Sequence, residues 1–132
     1  MARILVIEDE ESMLSLVTRI LVSAGHEVDG ARDGQEGMRL FEESAPDVVL
    51  TDINMPGMDG MEVIKAMRSA RAEVPIIAIS GGGMMPKELL LGSASLLGAV
   101  EVVAKPFEIA DLLDAVDRAL GLDRDGREPL NK

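Results

Sequence analysis

Each of several chemically capable side chains closes a short apolar or β-branched run. Glu8-Asp9 follow Ile4 to Ile7, Asp52 closes the run from Val48, Ser80 follows Ile76 to Ile79, and Lys105 follows Val100 to Ala104. Three carboxylates brought to one place repel, and a hard divalent cation among them resolves the conflict. Mg²⁺ prefers octahedral oxygen ligands and keeps several waters, so two or three carboxylate oxygens, a backbone carbonyl and a phosphate oxygen suit it. A carboxylate is also a competent nucleophile toward phosphorus. Beyond a placed nucleophile, phosphoryl transfer asks mainly for positive charge and donors around the transferred oxygens. In that arrangement Asp52 takes the phosphoryl group, Lys105 neutralises one oxygen, the cation a second, and the Ser80 hydroxyl with nearby amides a third.

Taken singly, each residue has an ordinary reading. An acidic pair after a strand is often a solvated edge or a helix cap, and Asp52 can cap the next turn. Asn54, Pro56 and Gly57 suit plain turn chemistry, Ser80 beside Gly81-Gly82-Gly83 suits a loop, and a lysine before Pro106 suits the surface. His26, after Gly25, reads as a loop residue with no role. Recurrence at one strand end after another is what sets the group apart.

For these residues to meet, the apolar runs must be parallel strands of one sheet, because ligands of open parallel sheets sit beyond the carboxyl ends of the strands. The chain alternates such runs with amphipathic stretches, the βαβ signature. Ile4 to Ile7 reads as a strand buried on both faces. Met13 to Ala24 reads as a helix with Met13, Leu16, Val17, Ile20 and Leu21 toward the core and Gly25 as its stop. Glu27 to Ala31 is a weaker strand. Asp33 and Glu36 start a helix carrying Met38, Leu40 and Phe41, and Pro46 separates it from the third strand. Asp59 and Glu62 repeat the start signal before Val63, Ile64 and Met67. Pro75 opens the fourth strand, which runs through Ile76, Ile77 and Ile79 and is ended by Ser80; Pro86 or Lys87 to Leu97 is a fourth helix, and Val100 to Ala104 the fifth strand. The last helix sets Ile109, Leu112, Leu113, Val116 and Leu120 on one face, with Phe107 stapled against Leu112. Five such units predict an α/β fold with one parallel sheet and helices on both faces. The polar stretch 121–132 reads as a disordered tail.

Composition narrows the function. At 132 residues the chain suits one domain. A net charge of -11, no Trp or Tyr and two Phe argue against direct nucleic-acid binding. No uncharged stretch is long enough to span a bilayer, and Leu89 to Val100, one of the two longest, is also rich in Gly and Ser. The start MARILVIEDEE does not fit a secretory signal. Absence of cysteine removes disulfides, thiolate metal sites and cysteine nucleophiles, and agrees with a reducing compartment. A cytoplasmic location is expected, with output through another protein, a metal or a small ligand.

The ordered set EDE, D-I-N-M-P-G-M-D-G, I-S-G and K-P-F resembles the receiver domain of two-component response regulators, over about residues 3 to 120. The resemblance implies a flavodoxin-like, doubly wound domain over residues 1–120, with five strands in the order 2-1-3-4-5 and five helices. It makes Asp52 the phosphoacceptor, and Glu8, Asp9, Asp52 and the backbone carbonyl of Asn54 the Mg²⁺ ligands. Ser80 and Gly81 become the phosphate-binding switch segment, Lys105 the phosphate-binding lysine, and Lys105-Pro106 a cis-favouring step. Glu8 stands where many members carry Asp, and its extra methylene implies that the first carboxylate reaches the metal through water. Val102 stands where many carry an aromatic ring, so the switching motion is expected instead at Gly81-Gly82-Gly83.

The implied partner is a histidine kinase or a histidine phosphotransfer protein, and the implied regulator is stand-alone, catalysing only its own phosphorylation and dephosphorylation. Leu89, Leu90, Leu91, Leu96 and Leu97 exceed what one buried stripe needs. A partner or second copy is therefore expected on the fourth helix, fifth strand and fifth helix, at Leu90, Leu91 and Val102. Two other readings stand beside this one: an interaction module whose acidic site is vestigial, and a small phosphohydrolase working through an aspartyl phosphate.

Overall fold

A computed structural model of the chain describes residues 2–52, 60–71, 73–80, 101–104 and 107–121. Its strands are β1 (Arg3–Ile7), β2 (Glu27–Ala31), β3 (Val48–Asp52), β4 (Ile76–Ser80) and β5 (Glu101–Ala104). Its described helices are α1 (Glu11–Ser23), α2 (Gly34–Ser44), α3 (Gly60–Ala70) and α4 (Ile109–Ala119), the last being the final helix expected from sequence. The strands form one sheet in the order β2-β1-β3-β4-β5, with every adjacent pair parallel. The helix expected over residues 86–97, with Leu90 and Leu91, lies outside the described residues. So do Asn54, Gly81, Lys105, Pro106 and the tail from residue 122, and of Val102 only the backbone is described. No described helix is long and apolar enough to cross a membrane.

Alternate residues of a strand point to opposite faces, and here both sets are apolar. Ile4, Val6, Val48, Leu50, Ile77 and Ile79 pack with Val17, Ile20 and Leu21 of α1 and Leu112, Ala115 and Val116 of α4. Leu5, Ile7, Val49, Ile76 and Ala78 pack on the other face with Phe41 of α2 and Val63, Ile64 and Met67 of α3. Two cores back to back explain why the central strands read as unbroken apolar runs. β2 reads more weakly because it is an edge strand, with Glu27 exposed and Val28 and Asp29 half-buried. Arg3 pairs across to Glu27 at 3.0 Å and to Asp29 at 3.8 Å. Gly37 faces β1, where a Cβ would lie 2.5 Å from the Ile7 Cδ1, so a larger residue there would require the Ile7 side chain to shift.

Local signals account for the helix ends. Asp33 caps α2 by accepting the Glu36 N–H at 2.8 Å. The Glu36 carboxylate reaches one residue further back than a capping box requires, and accepts the Arg32 N–H at 3.0 Å. α1 stops in a Schellman motif: the His26 N–H donates to the Leu21 carbonyl, the Gly25 N–H donates to the Val22 carbonyl, and Gly25 takes φ +95. α1 also begins two residues earlier than its apolar spacing predicted, directly after the acidic turn.

Three residues depart from the expected pattern. Leu16 and Ile109, both assigned to core-facing stripes, are 41% and 58% exposed. They flank a groove of about 450 Å³ between α1 and α4, lined also by Arg19, Ile20 and Leu113. His26, read as a plain loop residue, instead accepts the Ala2 N–H on Nδ1 at 3.1 Å and so ties the start of β1 to the end of α1.

Burial, and then the charge of the amino terminus, lower the His26 pKa below its ordinary 6.5, while Asp117 opposes them. The imidazole is thus protonated more readily in the unfolded chain. Its contribution to stability is complete above pH 6.5 and is lost as the pH falls below that value toward the folded pKa. Thermal melts from about pH 7.5 to about 5.5, across the ordinary histidine range, are expected to show a decline in the wild type that His26→Gln lessens. Identical declines in both proteins count against this assignment.

Candidate functional site

Strand order reverses beside β1: the chain goes from β1 to β2 on one side and then returns to β3 on the other. Such a reversal opens a crevice beyond the carboxyl ends of the two strands. β1 ends at Ile7, so Glu8 and Asp9 project from the short turn into α1, and Asp52 is the last residue of β3. The register pairs Ile7 with Thr51, which puts Glu8 and Asp52 at matching heights on neighbouring strands.

One carboxylate oxygen from each of Glu8, Asp9 and Asp52 lies within 4.8 Å of the others. Glu8 is 1% exposed and Asp52 3%, whereas Asp9 is half-buried toward the mouth. The Glu8 carboxylate also accepts the Glu10 N–H at 3.1 Å. The Glu8 carboxylate thus holds the backbone of the turn as well as standing in the triad. All the donors are hard oxygens. Oxygens on opposite sides of an octahedral Mg²⁺ stand about 4.2 Å apart, twice its usual bond length. The triad therefore accommodates such an ion with small side-chain adjustment.

The remaining sequence candidates are placed only through the backbone. Asp52 pairs with Ile79, so Ser80 extends one residue past it on β4. Ser80 pairs with Ala104, the residue before Lys105. The strand ends expected to carry these residues thus share one edge of the sheet.

Sequence reasoning passed over Arg32. Its Nε–H donates to the Asp9 carbonyl at 3.0 Å, and its Nη1 lies 3.9 Å from a Glu11 carboxylate oxygen. The contact joins residues 23 apart, beyond the reach of any local pattern.

A family model described as the response regulator receiver domain matches residues 4–117. This chain belongs to that family. The receiver domain is 29% identical to sporulation initiation phosphotransferase F of Bacillus subtilis, over 91% of this chain and 94% of that protein. It is 35% identical to the regulatory protein AtoC of Escherichia coli over 91% of this chain but 25% of AtoC, and 35% identical to the transcriptional regulatory protein PrrA of Mycobacterium leprae over 89% and 49%. The receiver domain thus spans between a quarter and a half of the length of those two regulators. Among solved structures, the chemotaxis protein CheY4 of Vibrio cholerae superposes with a TM-score of 0.83 at 33% identity, covering 91% of this chain and 99% of that one. The flavodoxin-like fold and the placement among two-component signalling proteins follow from these matches.

Proposed function

We propose that this receiver domain accepts a phosphoryl group on Asp52 from a partner histidine kinase or phosphotransfer protein, in a Mg²⁺-dependent reaction, and signals through protein contacts. The observation that carries the reading is the approach of Glu8, Asp9 and Asp52 to within 4.8 Å of one another at the point where strand order reverses. Glu8, Asp9, Asp52 and the Asn54 carbonyl are the proposed ligands. When bound, Mg²⁺ offsets the carboxylate charge and the charge of the incoming phosphoryl oxygens.

Asp52 supplies the nucleophile. Its carboxylate oxygen bonds to phosphorus as the bond from phosphorus to the partner's histidine nitrogen breaks, and that nitrogen leaves with the electron pair. Asp52 is almost fully buried, which limits the water around its carboxylate. Lys105, Ser80 and the Gly81 amide are proposed to hold the phosphoryl oxygens, with Lys105-Pro106 shaping the loop. A donor protein must reach over the crevice, and α1 starts only three residues after Glu8. Partner contact there and cytoplasmic location belong to the same proposal. The matches include one relative covered nearly end to end and others in which the domain is part of a longer chain.

The test is the intact mass of the protein after incubation with acetyl phosphate, with and without Mg²⁺. A phosphoryl adduct that forms only with Mg²⁺ supports the proposal. Mg²⁺ binding without an adduct, from acetyl phosphate or from a phosphorylated histidine donor, instead favours the vestigial module.

A further inference from the structure

Sheet pairing between β1 and β2 ends at Ile7 with Ala31, so the acidic turn begins where strand hydrogen bonding stops. Two consecutive residues at the end of β2 extend the hold past that point. The Ala31 carbonyl accepts the Glu8 N–H at 2.9 Å, and the Arg32 Nε–H donates to the Asp9 carbonyl at 3.0 Å. Arg32 is itself anchored, since its N–H donates to the Glu36 carboxylate at the start of α2. Its guanidinium, half exposed, lies toward Glu11, the first residue of α1. One side chain thus bridges β2, the acidic turn and α1.

We infer that Arg32 is a positioning residue for the cation site. It fixes the backbone of Asp9, so that this half-buried carboxylate stands beside Glu8 and Asp52 before the ion arrives. The inference rests on the Mg²⁺ reading above. A planar guanidinium holds its Nε–H in a set direction, which an ammonium on a flexible stem does not. The effect runs through geometry and opposes the effect of charge. Placed near a cation site, an arginine acting by charge alone weakens Mg²⁺ binding, and its removal tightens it. An arginine that positions a ligand does the reverse, because the free turn must then be ordered by the ion.

Calorimetric titration with Mg²⁺ separates the two. Arg32→Met is expected to weaken Mg²⁺ binding by about tenfold, at the lower end of what groups that orient metal ligands contribute. Adduct formation from acetyl phosphate is expected to return to the wild-type rate once Mg²⁺ saturates, a split that general loss of structure does not produce. Arg32→Lys keeps the charge without the directed Nε–H and is expected to weaken binding too, so it decides the matter if Arg32→Met melts below the assay temperature. Unchanged or tighter Mg²⁺ binding in the folded variant overturns the inference. Failure of the wild type to bind Mg²⁺ overturns the functional reading itself, and the inference with it.

Discussion

Asp52→Asn is expected to remain folded and to show no phosphoryl adduct under conditions that label the wild type fully. The change preserves the size and shape of the side chain and leaves β3, with every residue buried, packed as before. It removes the anionic oxygen that attacks phosphorus, and loss of a nucleophile lowers such reactions by several orders of magnitude. It also takes one carboxylate from the triad within 4.8 Å, so Mg²⁺ affinity falls along with acceptance. Intact mass gives the first readout and calorimetry the second. An adduct of wild-type yield on the variant would move the acceptor to another carboxylate, and Asp9, half-buried at the mouth, is the one to replace next.

The largest effect on stability is expected from Phe41→Ala. The ring is fully buried, in the same cluster as Ile7, Val49, Ile64 and Met67. It also carries the Arg71 guanidinium 4.5 Å from its centroid, and the Phe41 carbonyl accepts a hydrogen bond from the same guanidinium. Truncation therefore opens a cavity and leaves Arg71 without its aromatic platform, joining two losses between α2 and α3. Buried Phe→Ala changes cost about 3–5 kcal/mol, against about 5–15 kcal/mol for a whole domain. A fall in Tm of about 10–20 °C follows for a chain of this size. Circular dichroism melts measure it, with Phe41→Leu as the milder case. A fall of under about 3 °C, less than 1 kcal/mol at this size, would show that the space closes without cost.

The strands were legible because burial on both faces writes an unbroken apolar run, and Asp33 was legible because an N-cap and its target lie three residues apart. The acidic triad was legible as a placement, since a parallel sheet brings the carboxyl ends of its strands to one edge. What escaped depends on distance along the chain or on a neighbour's shape. Helical spacing shows that Leu16 and Ile109 lie toward the sheet side, but not that α1 and α4 part there and leave both at an open groove. His26 looked idle because its partner, the Ala2 N–H, is 24 residues away. Glu8 read as either a helix cap or a ligand, and in the structure its carboxylate accepts the Glu10 N–H, a contact within the turn, while standing in the acidic triad.

The two strands that carry the carboxylates are interior to the sheet and covered on both faces. Their amides should exchange with solvent deuterium only when the whole domain opens, while the edge strand β2 exchanges through smaller fluctuations. The acid-bearing end of the sheet is thus mounted on the slowest-opening part of the described structure. If Asp52 accepts a phosphoryl group as proposed, the difference between the two states is expected outside β1 and β3, and unchanged deuterium exchange of these strands on phosphorylation is the result that would bear it out.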